Sequence, residues 1–341
     1  MEKQHQDPAT TFMLNAKFLL ILLVVVANSI EPLIDQSETF HTFYLWIYTF
    51  HIPMFALVMG YFSKHFRFNR QGFESLTEIV YQYFIFQSLY SLMDALFFHV
   101  PGTRHSFFIP YSLVWFLLSH LCWKLLLPLF ASLRRPFLVS ILIGIIIGYL
   151  PFTGAWLSFS RTFVFFPFFL AGYYFRFDIH QRTFMQLFKG ISIVLTAVVA
   201  VFLYIIPINP KWLYSSYTFL ELGTSGWYAG LYRIGIYVLE AIASLCFLSL
   251  VPAVSSKLTD WGKYTVYVFL LQGFIIKGAI AVGLFAHVNK GWHSAIVLLF
   301  AVALTCLLSQ SWVRKVCRPL IEPKLTFLNR FIMKKSTSIR R

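Results

Sequence analysis

Charged residues are scarce in this chain of 341 residues. They make up 12% of the sequence, whereas a soluble domain carries about 25%. Hydrophobic residues reach 58%, which is more apolar surface than one soluble core of this size can hide. The composition therefore excludes a soluble globular enzyme and a disordered chain, and it predicts a membrane protein that crosses the bilayer several times.

Cysteines are also few, and the common nucleotide and hydrolase motifs are missing. The four cysteines fall in apolar segments or beside a basic tail, without metal-ligand spacing, so we expect neither a disulfide nor a metal site. The chain has no glycine-rich nucleotide loop, no HExxH and no G-x-S-x-G. These absences argue against an ATP-driven pump and against the common hydrolases.

Long apolar runs fill most of the chain. A spanning helix needs about 20 apolar residues, and no alternation typical of strands competes with the helical interpretation. We therefore predict an all-α protein with about ten transmembrane helices, a transmembrane domain over residues 1–312 and a basic cytoplasmic tail over 313–341. The predicted spans are 12–30, 42–62, 77–98, 109–130, 137–152, 159–177, 186–207, 228–251, 264–285 and 291–312.

Positive charge is distributed unevenly between the predicted loops. If residue 1 is cytoplasmic, the cytoplasmic side carries twenty Lys and Arg residues and the opposite side carries three. This asymmetry predicts a multi-pass cell-membrane protein with both termini in the cytoplasm. It accounts for most of the net charge of +15, with some attraction to anionic membrane lipids, so nucleic acid is not an expected partner.

Polar side chains within the predicted spans are the best indicators of a site, because burying them in lipid is costly. In the first span, Lys17 and Asn28 are eleven residues apart, which places them on one helix face about 16 Å apart along the axis. Glu31 extends this face. In the second span, His51 precedes Pro53, and an imidazole at this depth suits a general base. The alternatives are snorkelling of Lys17 to the headgroups and a helix–helix hydrogen bond from His51.

Further cations lie at the ends of the predicted spans. Arg67 and Arg70 follow the second span and suit a phosphate-rich ligand. The alternative is that they only reflect the excess of Lys and Arg in cytoplasmic loops. Arg161 and Arg233 lie on the outer half and suit a basic pocket. Arg233 and Glu240 are seven residues apart, so a structural ion pair is the alternative.

Two further candidate sites are an outer loop with aromatic residues and a polar residue in the middle of a span. The outer loop 208–227 contains Trp212 and Trp227, which suit stacking against sugar rings or, alternatively, an aromatic belt at the membrane interface. Gln272 falls in the middle of a span and suits either a substrate contact or a polar contact between helices.

Several of these residues fall in runs that recur in one family. The runs are NAKFLL at 15–20, NSIEP at 28–32, FHIPMF at 50–55 with GYF at 60–62, WFLL at 115–118, RTFVFFPFF at 161–169 with GYY at 172–174, WGK at 261–263 and LLQGF at 270–274. In this order the chain resembles the acyltransferase-3 family of integral membrane proteins, in the branch often labelled fucose 4-O-acetylase-like. The resemblance covers nearly the whole chain.

The resemblance implies a membrane O-acyltransferase that uses cytoplasmic acetyl-coenzyme A as its acyl donor. The acceptor would be a hydroxyl of a cell-surface polysaccharide or of its lipid-linked precursor, and other polysaccharide-biosynthesis proteins would be partners. The family's first-span arginine and histidine correspond to Lys17 and Asn28, and a further histidine of the branch corresponds to Gln272. Arg67 and Arg70 resemble the family's cytoplasmic arginine motif.

Taken with the spans, the resemblance predicts three groups of site residues. The catalytic group comprises His51, aided by Asn28 and Glu31. The donor-binding group holds the coenzyme A phosphates, and the acceptor-binding group lies toward the outside. The donor-binding residues are Lys17, Arg67 and Arg70, and the acceptor-binding residues are Arg161, Arg233, Gln272, Trp212 and Trp227. The two substituted histidines favour an alternative, a catalytically impaired relative that serves as a glycan exporter or accessory subunit.

Overall fold

The computed structural model describes residues 7–98, 106–151, 156–177, 183, 186–224, 226–285 and 291–323. Within these residues the chain is helical and forms no strand, which confirms the all-α prediction. The helices are α1 (Pro8–Ile30), α2 (Glu38–Tyr48), α3 (His51–Phe62), α4 (Arg70–Met93), α5 (Trp115–Ala131), α6 (Pro136–Ile146), α7 (Phe159–Tyr174), α8 (Lys189–Ile205), α9 (Pro210–Tyr214), α10 (Ala229–Leu250), α11 (Lys257–Gly262), α12 (Thr265–Ala281), α13 (Gly291–Leu308) and α14 (Ser311–Ile321).

Four helical stretches of the described residues are long and apolar enough to cross a membrane, namely Pro8–Leu33, Glu38–Phe62, Ser112–Ala131 and Ala229–Leu250. Counting the bent pair Ser294–Leu308 and Ser311–Ile321 as one span gives a fifth. By length and composition these stretches are consistent with a membrane protein, and each of the ten predicted spans overlaps a helix. The number of spans and the side on which the termini lie stay predictions. Residues 324–341 of the predicted tail lie outside the described residues.

The second predicted span is broken between α2 and α3. Pro53 has no N–H to donate to the carbonyl of Thr49 one turn earlier. The Thr49 hydroxyl instead donates to the Trp46 carbonyl oxygen at 2.7 Å, a side-chain bond that competes with regular helix. The break places His51 at the first position of α3.

α3 packs against α7 at backbone contact. A Cβ added to Gly60 would lie 1.9 Å from the Phe169 carbonyl oxygen, and one added to Gly172 would lie 1.7 Å from the Leu57 carbonyl oxygen. Small residues allow helices to approach this closely in membranes, where packing rather than water drives association. This crossing fixes the helix that carries His51.

α1 lies in the interior of the helix assembly. It packs against α3, α11, α12 and α13. At its beginning, the Asn15 amide donates to the carbonyl oxygens of Pro252 at 2.7 Å and Val254 at 3.0 Å, and the Thr259 hydroxyl donates to the Asn15 side-chain oxygen at 2.6 Å. These bonds hold the rotation of α1 about its axis and hence the direction of its polar face.

Candidate active site

An elongated cavity of about 270 Å³ lies between α1, α3, α4, α5 and α12. The charged residues and histidines that line it are Lys17, Glu78, Lys124, His51 and His120. Lys17 and Asn28 both line it and lie about 16 Å apart along α1, so the cavity extends along about three turns of this helix. It extends from a basic end, defined by Lys17, His120 and Lys124, to an aromatic end, defined by Tyr48 and Trp115.

The α1 wall places Lys17 and Asn28 on one helix face, as predicted. Lys17, Ile21, Val24 and Asn28 all line the cavity, at the spacing that places side chains on one face of a helix. The Lys17 ammonium lies 5.6 Å from the centre of the Phe62 ring. Lys17 therefore faces the cavity from the interior of the protein, and Asn28 faces it farther along the same helix.

His51 is buried in the wall of the cavity, with 4% of its surface exposed. Its Nδ1 lies 2.8 Å from the Ile47 carbonyl oxygen. A carbonyl oxygen only accepts hydrogen bonds, so Nδ1 carries a proton and donates it. In the neutral ring Nε2 is then the nitrogen with a free lone pair. The partner of His51 is thus a backbone oxygen of the preceding turn, and the Tyr48 ring packs edge-on at 4.5 Å.

His120 lies at the basic end and was not among the predicted site residues. It projects from α5 into the cavity, and Lys124 and Lys17 are its charged neighbours. The Lys124 ammonium donates to the Ser75 hydroxyl at 2.7 Å and interacts with the Glu78 carboxylate. A histidine inside an apolar run is the signal that identified His51, and the same signal applies to His120.

The predicted arginine pair lies at the surface beside the basic end. Arg67 and Arg70 are exposed, and the Arg70 Nε lies 3.0 Å from a Glu74 carboxylate oxygen. The loop that carries them reaches the cavity through Phe66, whose ring centre is 5.4 Å from the Lys124 ammonium. The arginines therefore lie outside the lining, on the loop that contacts Lys124 at the basic end.

Lys64 fastens the start of the same loop to the end of α7. Its ammonium donates to the Phe175 carbonyl oxygen. Burial, together with the charge of Arg176, lowers the pKa of the Lys64 amine. This contact fixes the loop next to the cavity.

Arg161 lies behind the aromatic end. Its guanidinium is 4.6 Å from the centre of the Trp115 ring, and its Nε donates to the Tyr214 carbonyl oxygen at 3.1 Å. The Tyr214 ring lies 5.1 Å from the Tyr48 ring. One tryptophan thus separates Arg161 from the cavity, and tyrosines surround its other side.

Glu31 lies beyond the end of the α1 face. It begins a short 3-10 turn, Glu31–Leu33, and is exposed. Lys277 is the cation that interacts with its carboxylate. Glu31 is therefore not part of the cavity lining, although it follows Asn28 by one turn.

Arg233 and Trp212 belong to a separate cluster near α9. The Arg233 side chain is 1% exposed and donates to the Ser215 hydroxyl at 3.0 Å and to the Trp212 carbonyl oxygen at 3.2 Å. Both Glu240 oxygens are buried without a hydrogen bond to any described residue, so the proposed Arg233–Glu240 pair does not form at hydrogen-bond distance. Trp227 is 79% exposed and lies outside the cavity.

Gln272 is fully buried but does not line the cavity. Val268 and Ile276, one turn before and after it on α12, belong to the core cluster that includes residues of α1 and α13. Its side-chain amide has no hydrogen-bond partner among the described residues. Of the predicted site residues, the cavity thus brings together Lys17, Asn28 and His51.

The comparisons with known proteins found no counterpart. No family model matches the chain, and neither a curated protein nor a solved structure matches it. Across the residues that the structure describes, no three His, Cys, Asp or Glu side chains come together in a group that could hold a metal ion. The functional interpretation therefore depends on the cavity and on the sequence runs.

Proposed function

We propose that the protein is a membrane O-acyltransferase of the cell membrane, with both termini cytoplasmic. It moves an acyl group, most simply acetyl, from cytoplasmic acyl-coenzyme A to a hydroxyl of a cell-surface polysaccharide or of its lipid-linked precursor. One observation carries the proposal: a cavity that extends along α1 has a basic end and an aromatic end, and the lining imidazole of His51 is held by its Nδ1 with Nε2 left as base.

The dimensions of the cavity fit part of the donor. Pockets that enclose a whole drug-sized ligand measure about 300–1,000 Å³, and this cavity has about 270 Å³. It therefore suits the linear acyl-pantetheine arm, while the nucleotide remains outside. Lys17 and Lys124 would meet the arm inside, and Arg67 and Arg70 would meet phosphates at the surface, where a guanidinium binds them in bidentate fashion.

The chemistry requires one base and one group that stabilises negative charge. His51 Nε2 would take the proton of the acceptor hydroxyl as the hydroxyl oxygen attacks the thioester carbonyl carbon. A carbon–oxygen bond forms, the carbon–sulfur bond breaks, and the leaving thiolate takes the proton from the imidazolium. The Asn28 amide, which also lines the cavity, suits donation to the carbonyl oxygen as it gains charge.

The acceptor would approach through the aromatic end. Tyr48 and Trp115 line this end, and aromatic rings present apolar faces together with polar groups that suit sugar rings. Arg161 behind Trp115 adds a positive charge, which suits an acidic sugar or a lipid-linked phosphate. Exposed Trp227 would contact the acceptor farther out.

Mutation of His51 tests the proposal. We expect glycan O-acetyl content, measured by NMR on cells lacking the gene, to be restored by the wild type and not by His51→Ala or His51→Gln. Loss of a general base lowers the transfer rate about 100- to 10,000-fold. The matched control is His41→Ala on α2, which lies outside the cavity lining and should restore acetylation fully.

One feature of the lining favours a second candidate function. Asn28, rather than a histidine, faces the cavity at the position where the resembled family has its first-span histidine. A glycan exporter or accessory subunit would have the same cavity without the chemistry. Acetylation that is unchanged on deletion, combined with less glycan at the surface, would overturn the acyltransferase proposal and support this candidate.

A further inference from the structure

α14 turns sharply away from the helix that precedes it. The bent pair Ser294–Leu308 and Ser311–Ile321 has an angle of 71°. α13 has 18 residues and a length of about 27 Å, close to the roughly 30 Å of a hydrocarbon core. α14 is therefore not needed to complete a crossing, and its direction suits a helix that lies along the membrane surface.

One face of α14 is fixed to the protein. Val313 and Ile321 are buried in the core clusters around α1 and α12. The Arg314 guanidinium lies 3.7 Å from the centre of the Tyr264 ring, and the Ile321 carbonyl oxygen accepts a hydrogen bond from the Gln82 amide at 3.0 Å. These contacts fix the rotation of α14, so its other faces have a defined direction.

A second face is apolar and exposed. Trp312 is 56% exposed, Val316 70% and Leu320 37%. They are spaced four residues apart and therefore form a single stripe along the helix. An apolar stripe with a tryptophan at one end is typical of helices that lie at the boundary between headgroups and acyl chains.

The third face is basic. Lys315 and Arg318 are exposed and, at about 100° per residue, lie roughly 100° and 160° from the middle of the apolar stripe, on the side of the helix away from Val313. The Arg318 Nε is 4.0 Å from a Glu322 carboxylate oxygen, and an exposed pair at this distance contributes little. The sequence after 323 adds six Lys or Arg residues and no Asp or Glu. This charge is complementary to an anionic surface.

We propose that α14 is an interfacial helix that docks on an anionic membrane surface. Trp312, Val316 and Leu320 enter the boundary between headgroups and acyl chains, while Lys315 and Arg318 bind lipid phosphates. This assignment is independent of the acyltransferase proposal, because it concerns a surface outside the cavity.

The test measures the depth and the lipid dependence of α14 in the full chain. A fluorophore is attached to Val316→Cys after the four native cysteines are replaced by alanine, and the protein is placed in nanodiscs with and without phosphatidylglycerol. Lipids with a nitroxide at the headgroup or at mid-chain act as quenchers. We expect the headgroup quencher to be the stronger one, and its effect to increase with phosphatidylglycerol.

Matched controls separate depth from charge. Val238→Cys in α10, at 53% exposure, should be quenched more strongly by the mid-chain nitroxide. Lys315→Gln combined with Arg318→Gln should weaken the phosphatidylglycerol dependence, whereas Arg134→Gln combined with Arg135→Gln should leave it unchanged. Stronger mid-chain quenching at Val316→Cys would make α14 part of a broken span. An absence of quenching would show that protein, such as a second copy of the chain, covers this face. Either result would overturn the proposal.

Discussion

The α3–α7 crossing has no room for even one additional methyl group. In Gly172→Ala the new Cβ would lie 1.7 Å from the Leu57 carbonyl oxygen. Close carbon–oxygen contacts in proteins measure about 3.3–3.6 Å, so the two helices would have to separate by about 1.5 Å. The obstructing atom belongs to the backbone and cannot turn away as a side chain would.

The energy of this separation follows from two opposing effects. Overpacking costs up to about 3 kcal/mol, while replacing glycine by alanine in a helix gains about 1 kcal/mol. We expect Gly172→Ala to lower the free energy of unfolding by about 2 kcal/mol. Gly235→Ala on α10 is the matched control, because no atom lies within 4 Å of its added Cβ. It should be neutral or stabilising by up to about 1 kcal/mol.

The measurement is equilibrium unfolding of the purified protein in detergent, followed by tryptophan fluorescence. Because α3 carries His51, Gly172→Ala should also reduce acyl transfer at temperatures where the protein remains folded. If Gly172→Ala and Gly235→Ala were equally stable, α3 and α7 could not pack at backbone contact, and the position assigned to His51 would be wrong.

Apolar run length predicted the positions of the helices, because it depends on local sequence alone. Every predicted span overlaps a helix, and the eleven-residue spacing of Lys17 and Asn28 correctly placed both on one face, since a helix turns by a fixed angle per residue. Pro53, a residue type that interrupts helices, also lies close to the break in the second span. These features require no knowledge of the neighbouring helices.

The rotation of each helix about its axis was not available from the sequence. Side chains that face lipid and side chains that face the protein interior are both apolar in a membrane, so a polar residue could be located in a span without its direction being known. Gln272 points into the α1–α13 core, and Arg233 holds the α9 loop instead of lining the cavity. His120 was missed for the same reason: the sequence gives its position along the span but not the direction of its side chain, which points into the cavity.

The remaining predictions concern two polar clusters. His120→Ala should lower the acyl-transfer rate and raise the donor KM, because it removes an N–H donor between Lys17 and Lys124. His120→Gln, which keeps such a donor, should restore part of both in a kinetic assay with acetyl-coenzyme A, and equal rates for all three proteins would rule out a role at the basic end. Asp94 and Lys277 form an ion pair at 2.8 Å, with 5% and 29% of their side chains exposed. Asp94→Asn or Lys277→Met alone should each destabilise the protein by up to about 3 kcal/mol, since each removes one charge of a largely buried pair whose two members also contact Tyr111. The double variant should cost less than the two single variants added together, and a simply additive unfolding free energy would show that the pair contributes no coupling.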